Sequence, residues 1–300
     1  MKTFSALLKR NIKLFFKDKG LFFTSLITPL ILLVLYATFL SNVYKDSLIS
    51  IFAQMNVTLS DKLINGAVGG QLLSSLLAVS TITVSFCSNM LMVQDKVSGA
   101  KNDLLISPVN RSTLALSYFV ATAISTLLIC LFATVAGLIY ISIIGWYLSV
   151  LDVLLIVFDV IILVAFGTAL SSIINYFLST QGQISAVGSI VSSCYGFICG
   201  AYMPLASFSE GLRSVIMFLP GTYGTALIRN HTLNGVIKEM SKSGLPEQAI
   251  KAFRDAIDVN IYFFDNQISL NLMACVITLS AVLLIVSYVL VNVLNKNKKK

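Results

Sequence analysis

STLALSYFVATAISTLLICLFATVAGLIYISIIGWYLSVL, residues 112–151, runs for 40 residues without a charged side chain. A helix rises 1.5 Å per residue, so about 20 apolar residues cross a bilayer core. A run twice that length, with Trp146 and Tyr147 near its far end where aromatic rings suit the lipid–water boundary, predicts one long span over 113–144. The same reading extends outward in both directions. Uncharged runs at 20–44, 63–94 and 266–295 each predict one span. The run 160–209 is interrupted by STQGQ at 179–183 and, with the residues before Asp159, predicts two. The six predicted spans are 21–44, 66–94, 113–144, 150–178, 184–204 and 268–294. The uncharged run 214–228 is too short to cross and carries Pro220, Gly221 and Gly224 at its centre. It predicts a re-entrant hairpin over 206–230 on the external side.

Composition agrees with an all-α integral membrane protein that forms a single transmembrane domain over 1–300. Hydrophobic residues are 57% of the chain and charged residues 11%, with a mean hydropathy of +0.89. Soluble domains carry about 25% charged residues. The net charge of +8 is concentrated at the ends, in Lys2, Lys9, Arg10, Lys13, Lys17 and Lys19 and in Lys296, Lys298, Lys299 and Lys300. That distribution follows the positive-inside rule and points away from nucleic acid as a partner. It predicts a multi-pass plasma-membrane protein with both termini cytoplasmic, which an even number of spans allows. Loop 95–111 is then also inside, with Lys96, Lys101 and Arg111. The outer loop 41–67 balances Lys45 and Lys62 against Asp46 and Asp61. The first apolar run is too long for a cleaved signal peptide, and no small-residue cleavage site follows it.

Residues 1–19 separate Phe4, Leu7, Leu8, Ile12, Leu14 and Phe15 from Lys2, Lys9, Arg10, Lys13 and Lys17 at helical spacing. This predicts a basic amphipathic helix lying against anionic headgroups at the membrane surface. In the external segment 231–265, Ile250, Phe253, Ile257 and Ile261 recur at helical spacing after Pro246, predicting a short amphipathic helix on the mouth of the bundle.

Catalytic and metal motifs are missing from the sequence. Cys87, Cys130, Cys194, Cys199 and Cys275 all lie in apolar runs without zinc spacing and read as packing residues. SGAKND at 98–103 lacks the second glycine of a phosphate loop and has Asn after its Lys, so it cannot form the nest of N–H groups that holds nucleotide. The same segment, from Asp95 to Leu105, is polar, has helix-forming character and is stopped by Pro108. Asp159 is the ionisable residue inside a span, with Asp152 on the same face. A carboxylate at that depth costs about 2.5–3.5 kcal/mol and faces a cavity or a partner. No basic residue of the spans is available to pair with it. Gly182, Gly188, Gly196 and Gly200, with Ser185, Ser189, Ser192 and Ser193, give the fifth span a small-residue face suited to close helix packing, within one subunit or between two.

Three stretches resemble the permease subunits of type-2 ATP-binding-cassette (ABC) exporters. The first is the basic amphipathic start followed by LITPLILLVLY. The second is VSGAKNDLLISPVNRSTLALS at 97–117, where Gly99, Leu104, Leu105, Ser107, Pro108, Val109 and Arg111 match the family's cytoplasmic pattern. The third is FICGAYMPLASFSEGLRSVIMFLPGTYGTALIRN at 197–230, with Gly200, Pro204, Pro220, Tyr223 and Arg229 in the corresponding places. The family often has Glu where Asp95 stands.

The resemblance implies a coupling helix in 95–111 that docks on an ATPase subunit through Asp95, Lys96, Gly99, Lys101, Asp103, Leu104, Leu105, Pro108 and Arg111. It implies two such ATPase subunits, which carry the ATP and Mg, and a second permease copy. This chain itself would bind no cofactor and hold no ATPase site. The substrate path would run along the permease interface, with Tyr36, Phe39, Asn89, Asp159, Tyr195 and Tyr202 as candidates to line it. A drug, antimicrobial peptide or lipid-like amphiphile is the expected cargo. The alternatives are a teichoic-acid or polysaccharide lipid intermediate, or, in another class, a proton-coupled secondary transporter or a membrane immunity or scaffold protein.

Overall fold

A computed structural model describes residues 2–55, 57–107 and 109–294. In chain order the helices are α1 (Lys2–Lys17), α2 (Lys19–Leu35), α3 (Ser41–Ala53), α4 (Asp61–Val97), α5 (Ala100–Ile106), α6 (Arg111–Ile144), α7 (Val150–Phe177), α8 (Gln181–Ile198), α9 (Glu210–Ile216), α10 (Pro220–Lys242), α11 (Glu247–Ala256) and α12 (Leu270–Leu294). A two-residue hairpin, β1 (Tyr262–Phe263) against β2 (Asn266–Gln267), precedes α12.

Among the described residues, five helical stretches are long and apolar enough to cross a membrane: 19–53, 61–97, 111–144, 150–177 and 270–294. The expected span 184–204 is the 18-residue helix α8, which lies beside them. It stops at Ile198, short of the expected end. Gly200 takes the left-handed conformation (φ 71°), and the amides of Ala201 and Tyr202 turn back to the Gly196 carbonyl at 2.9 and 3.0 Å.

The bundle is built around α4. The most apolar part of this helix is 94% buried, against 17% for α12 and 28% for 19–53. Glycines permit that central place. A Cβ on Gly66 would lie 2.6 Å from the Tyr147 ring, and one on Gly70 2.8 Å from the Thr232 carbonyl. Four of its interior hydroxyls, those of Ser74, Thr81, Thr83 and Ser85, return to carbonyls of their own helix, as Ser74 does to Gln71 and Ser85 to Thr81, both at 2.7 Å.

Three expectations are corrected. The stretch 41–67 is helical through Ala53, joined to α2 by a widened π turn over 36–40 in which the Ser41 amide reaches the Tyr36 carbonyl. Tyr44, Leu48 and Phe52, four residues apart, bury one face of α3, and Phe52 meets Phe253 of α11 with ring centres 5.9 Å apart. The expected boundary between a hairpin and an external segment at 230/231 falls inside α10, a continuous 23-residue helix. Pro220 stands at its first turn, where its missing N–H costs nothing, and Gly221 and Gly224 let Tyr195 and Leu163 approach. The segment 95–105 is two helices, because Gly99 is left-handed (φ 84°) and breaks it after Val97.

Candidate functional site

At the end of the bundle that carries α5, the chain builds a charged seam. Asp95, in the last turn of α4, receives both guanidinium nitrogens of Arg10 at 2.6 and 3.1 Å, and the Tyr118 hydroxyl donates to it as well. Asn11 is fully buried and donates to the Ser117 hydroxyl at 3.2 Å. Together these contacts pin α1 to α4 and α6. The hydrogen bond to Asp95 pushes the Arg10 guanidinium further above its ordinary value, outweighing burial. Leu7, Asn11 and Phe15 form the buried stripe of α1, while Lys9, Lys13 and Lys17 are exposed.

Lys96 is spent differently. Its ammonium donates to the carbonyls of Asn175, Tyr176 and Leu178 at 3.1, 2.5 and 3.1 Å. It therefore satisfies the carbonyls that α7 leaves open at its C-terminus. Asp95 and Lys96, two of the residues expected on a docking surface, are thus internal fasteners. On α5, Leu104 and Leu105 pack on the core, whereas Asn102, Asp103 and Ile106 point outward, Ile106 with 85% of its surface exposed. Lys101 lies over the Tyr176 ring at 5.9 Å, and Arg111 opens α6. Pro108 lies outside the described residues.

Of the six candidates for a substrate path, Tyr36 and Tyr202 come together. They line a cavity of roughly 500 Å³ between α2 with its π turn and α8, beside Thr28, Ser192, Ser193 and Phe197. Phe39 is 64% exposed and lies outside that lining. Tyr195 packs against Gly221. Asn89 is buried between α4 and α7, donating to Ser171 and Ser172 at 3.1 and 2.9 Å.

Asp159 has a partner, contrary to expectation: His231 Nδ1 stands 2.5 Å from its carboxylate, with both residues buried. The sequence reading missed this because His231 was assigned to an external segment, whereas α10 carries it back into the bundle. Two residues along α10 from His231, the buried Arg229 joins several elements. Its guanidinium donates to Asp258 at 3.4 Å, to the Gly200 carbonyl at 2.9 Å and to the hydroxyls of Ser74 and Ser75. Asp258 also accepts the Leu205 amide at 2.9 Å. No sequence signal marked Asp258 for this role.

A bundle with apolar spans, a basic surface helix and buried polar cross-links defines a multi-pass α-helical membrane protein. The family model of the ABC-2 type transporter matches residues 2–232. The chain belongs to that family, as the permease subunit of an ABC transporter, whose family implies a separate ABC ATPase. No curated protein and no solved structure gave a significant match to this chain.

Proposed function

We propose that this permease works as an exporter for an amphiphile such as a drug, an antimicrobial peptide or a lipid-like molecule, paired with a second permease copy and two ATPase subunits. The observation that carries the reading is the face formed by α2 and α8. In α8 only Ile184 and Gly196 are buried, and Ser185, Ser189 and Ser193 stay uncovered, Ser193 in the lining of the 500 Å³ cavity. Uncovered serines in a helix of this bundle favour packing against another protein surface over hydrocarbon. A second copy set against α2 and α8 would close the cavity into a path with hydroxyls from Thr28, Ser192 and Ser193 and rings from Tyr36, Phe197 and Tyr202. That mixture suits a cargo with one apolar and one polar end.

ATP-driven closure would reach this path through α5. Its outward residues, Asn102, Asp103 and Ile106, form a small face with an apolar knob, fit to enter a cleft on the ATPase. In this reading the α5 end is cytoplasmic. Because Asp95 and Lys96 hold α1 and α7 from the base of the same element, a push on α5 is delivered to three helices. The test is reconstitution of the permease with its ATPase in proteoliposomes. Candidate amphiphiles should stimulate ATP hydrolysis several-fold, and Ser193→Trp, which fills the cavity, should abolish the stimulation while leaving basal hydrolysis. Flux that collapses with an uncoupler and ignores ATP would overturn the proposal.

A further inference from the structure

A second cavity, of roughly 410 Å³, borders the segment that follows α11 and shares no lining residue with the proposed substrate path. Its walls come from α9, the last turn of α11 and the hairpin before α12. Three carboxylates line it, those of Asp255, Asp258 and Asp265. Two of them are fixed in the same way, through one oxygen each. Asp255 Oδ1 accepts the Asn260 amide at 2.7 Å and the Tyr262 hydroxyl at 3.0 Å, and neither bond uses Oδ2. Asp258 Oδ2 accepts the Leu205 amide and the Arg229 guanidinium. Its Oδ1 takes no hydrogen bond from the described residues, although Asp258 is only 5% exposed. An acceptor left open at that depth is costly unless something else fills it. Both carboxylates are therefore held in place with one oxygen to spare.

One cation, Arg213 of α9, lines the cavity and is exposed. Even with Arg229 behind Asp258, three carboxylates face two guanidiniums, so the balance is acidic. Tyr262, Phe263 and Phe264 add aromatic rings, and Phe263 meets Phe264 and Phe218 edge to face with centres 4.9 and 5.2 Å apart. The non-glycine residues with positive φ, Asp258 (55°) and Phe264 (51°), both belong to this lining, and such conformations gather at ligand sites. The volume is that of a small-molecule pocket, far more than a bare metal ion needs. Among the described residues no three acids stand close enough to ligate a metal. Carboxylates beside aromatic rings suit an organic ammonium, which pairs with the acid and is drawn to the ring faces.

We infer that this cavity binds a small molecule through its ammonium group, paired with Asp255 and Asp258 and set against the rings of Tyr262 and Phe264. The inference goes beyond the transport reading and does not depend on it.

Isothermal titration calorimetry on the full-length permease in a neutral detergent tests the site. Benzyltrimethylammonium, benzyl alcohol and benzoate serve as probes, sharing one aromatic body and differing in charge. The wild type should bind the ammonium at least tenfold more tightly than the alcohol. Asp255→Asn keeps an acceptor for Asn260 and Tyr262, and should weaken the ammonium at least fivefold while leaving the alcohol unaffected. Phe264→Ala removes a ring that is 69% exposed, and should weaken the ammonium several-fold in a folded protein. No binding of the ammonium, or equal affinity for ammonium and alcohol, would overturn the assignment. So would a preference for benzoate, which would give the cavity to Arg213, or undiminished ammonium binding in the folded Asp255→Asn variant.

Discussion

Asp258 adopts a left-handed backbone (φ 55°) between α11 and the hairpin, and there burial and charge compete for its proton. Burial dominates: it pushes the carboxyl from 3.8 up to about 6, although Arg229 and the Leu205 amide pull the other way. A raised acid favours its neutral form in the fold. Its contribution to stability is therefore complete below about pH 3.8 and is lost as pH rises through about 6. Two pKa units correspond to at most about 3 kcal/mol. The purified protein should melt higher at pH 5 than at pH 7.5 through this group, and Asp258→Asn should remove that part of the difference; thermal unfolding at both pH values measures it. Arg229→Ala leaves Asp258 buried without its cation and should cost about 3–5 kcal/mol in the same assay. Neither residue's role was visible in the chain, because Arg229 and Asp258 are joined only once α10 and the segment after α11 have packed. The depth of Asp159 was legible; its partner His231, 72 positions away, was not.

Glycine decides two elements in opposite ways. At Gly99 a Cβ would meet nothing within 4 Å, so only the left-handed backbone excludes a side chain there. Gly99→Ala should cost about 1–2 kcal/mol locally and favour a continuous α4–α5 helix. The outcome to look for is loss of ATP-coupled transport with little change in melting temperature. At Gly235 a Cβ would lie 1.8 Å from the Tyr147 carbonyl oxygen, a contact between two backbones. Gly235→Ala must push α10 off the α6–α7 connection, and should lower the melting temperature by several degrees even with the charged seam intact. These elements also show why the sequence reading succeeded unevenly. Long uncharged runs declare themselves, since nothing else explains 40 such residues in 112–151. α10 hides itself, because a buried helix with Pro220, Gly221 and Gly224 in its first turns has the composition of a bend. Lys45 and Asp46 likewise marked α3 as loop, although its buried stripe of Tyr44, Leu48 and Phe52 was present in the spacing.

Across the whole molecule, the fasteners and the openings lie in different places. Arg10–Asp95, Lys96 on α7 and Arg229–Asp258 cross-link the bundle internally, while α8 beside its cavity and the outer face of α5 are among the uncovered surfaces. The sequence could not separate these classes in 95–111, because a charge that docks and a charge that fastens look alike until burial is known. The docking proposed above therefore rests on Asn102, Asp103 and Ile106, which are exposed, rather than on Asp95 and Lys96. Reversing Asp95 should unfold the seam, whereas Ile106→Asp should leave the fold intact, since the side chain it replaces is 85% exposed. The most direct measurement is co-purification of the ATPase subunit with wild-type and Ile106→Asp permease, with ATP hydrolysis assayed on each preparation. The wild type should yield a stoichiometric complex, and the variant should lose at least tenfold in bound ATPase at an unchanged melting temperature. Undiminished ATPase binding and coupled hydrolysis in the folded variant would contradict it.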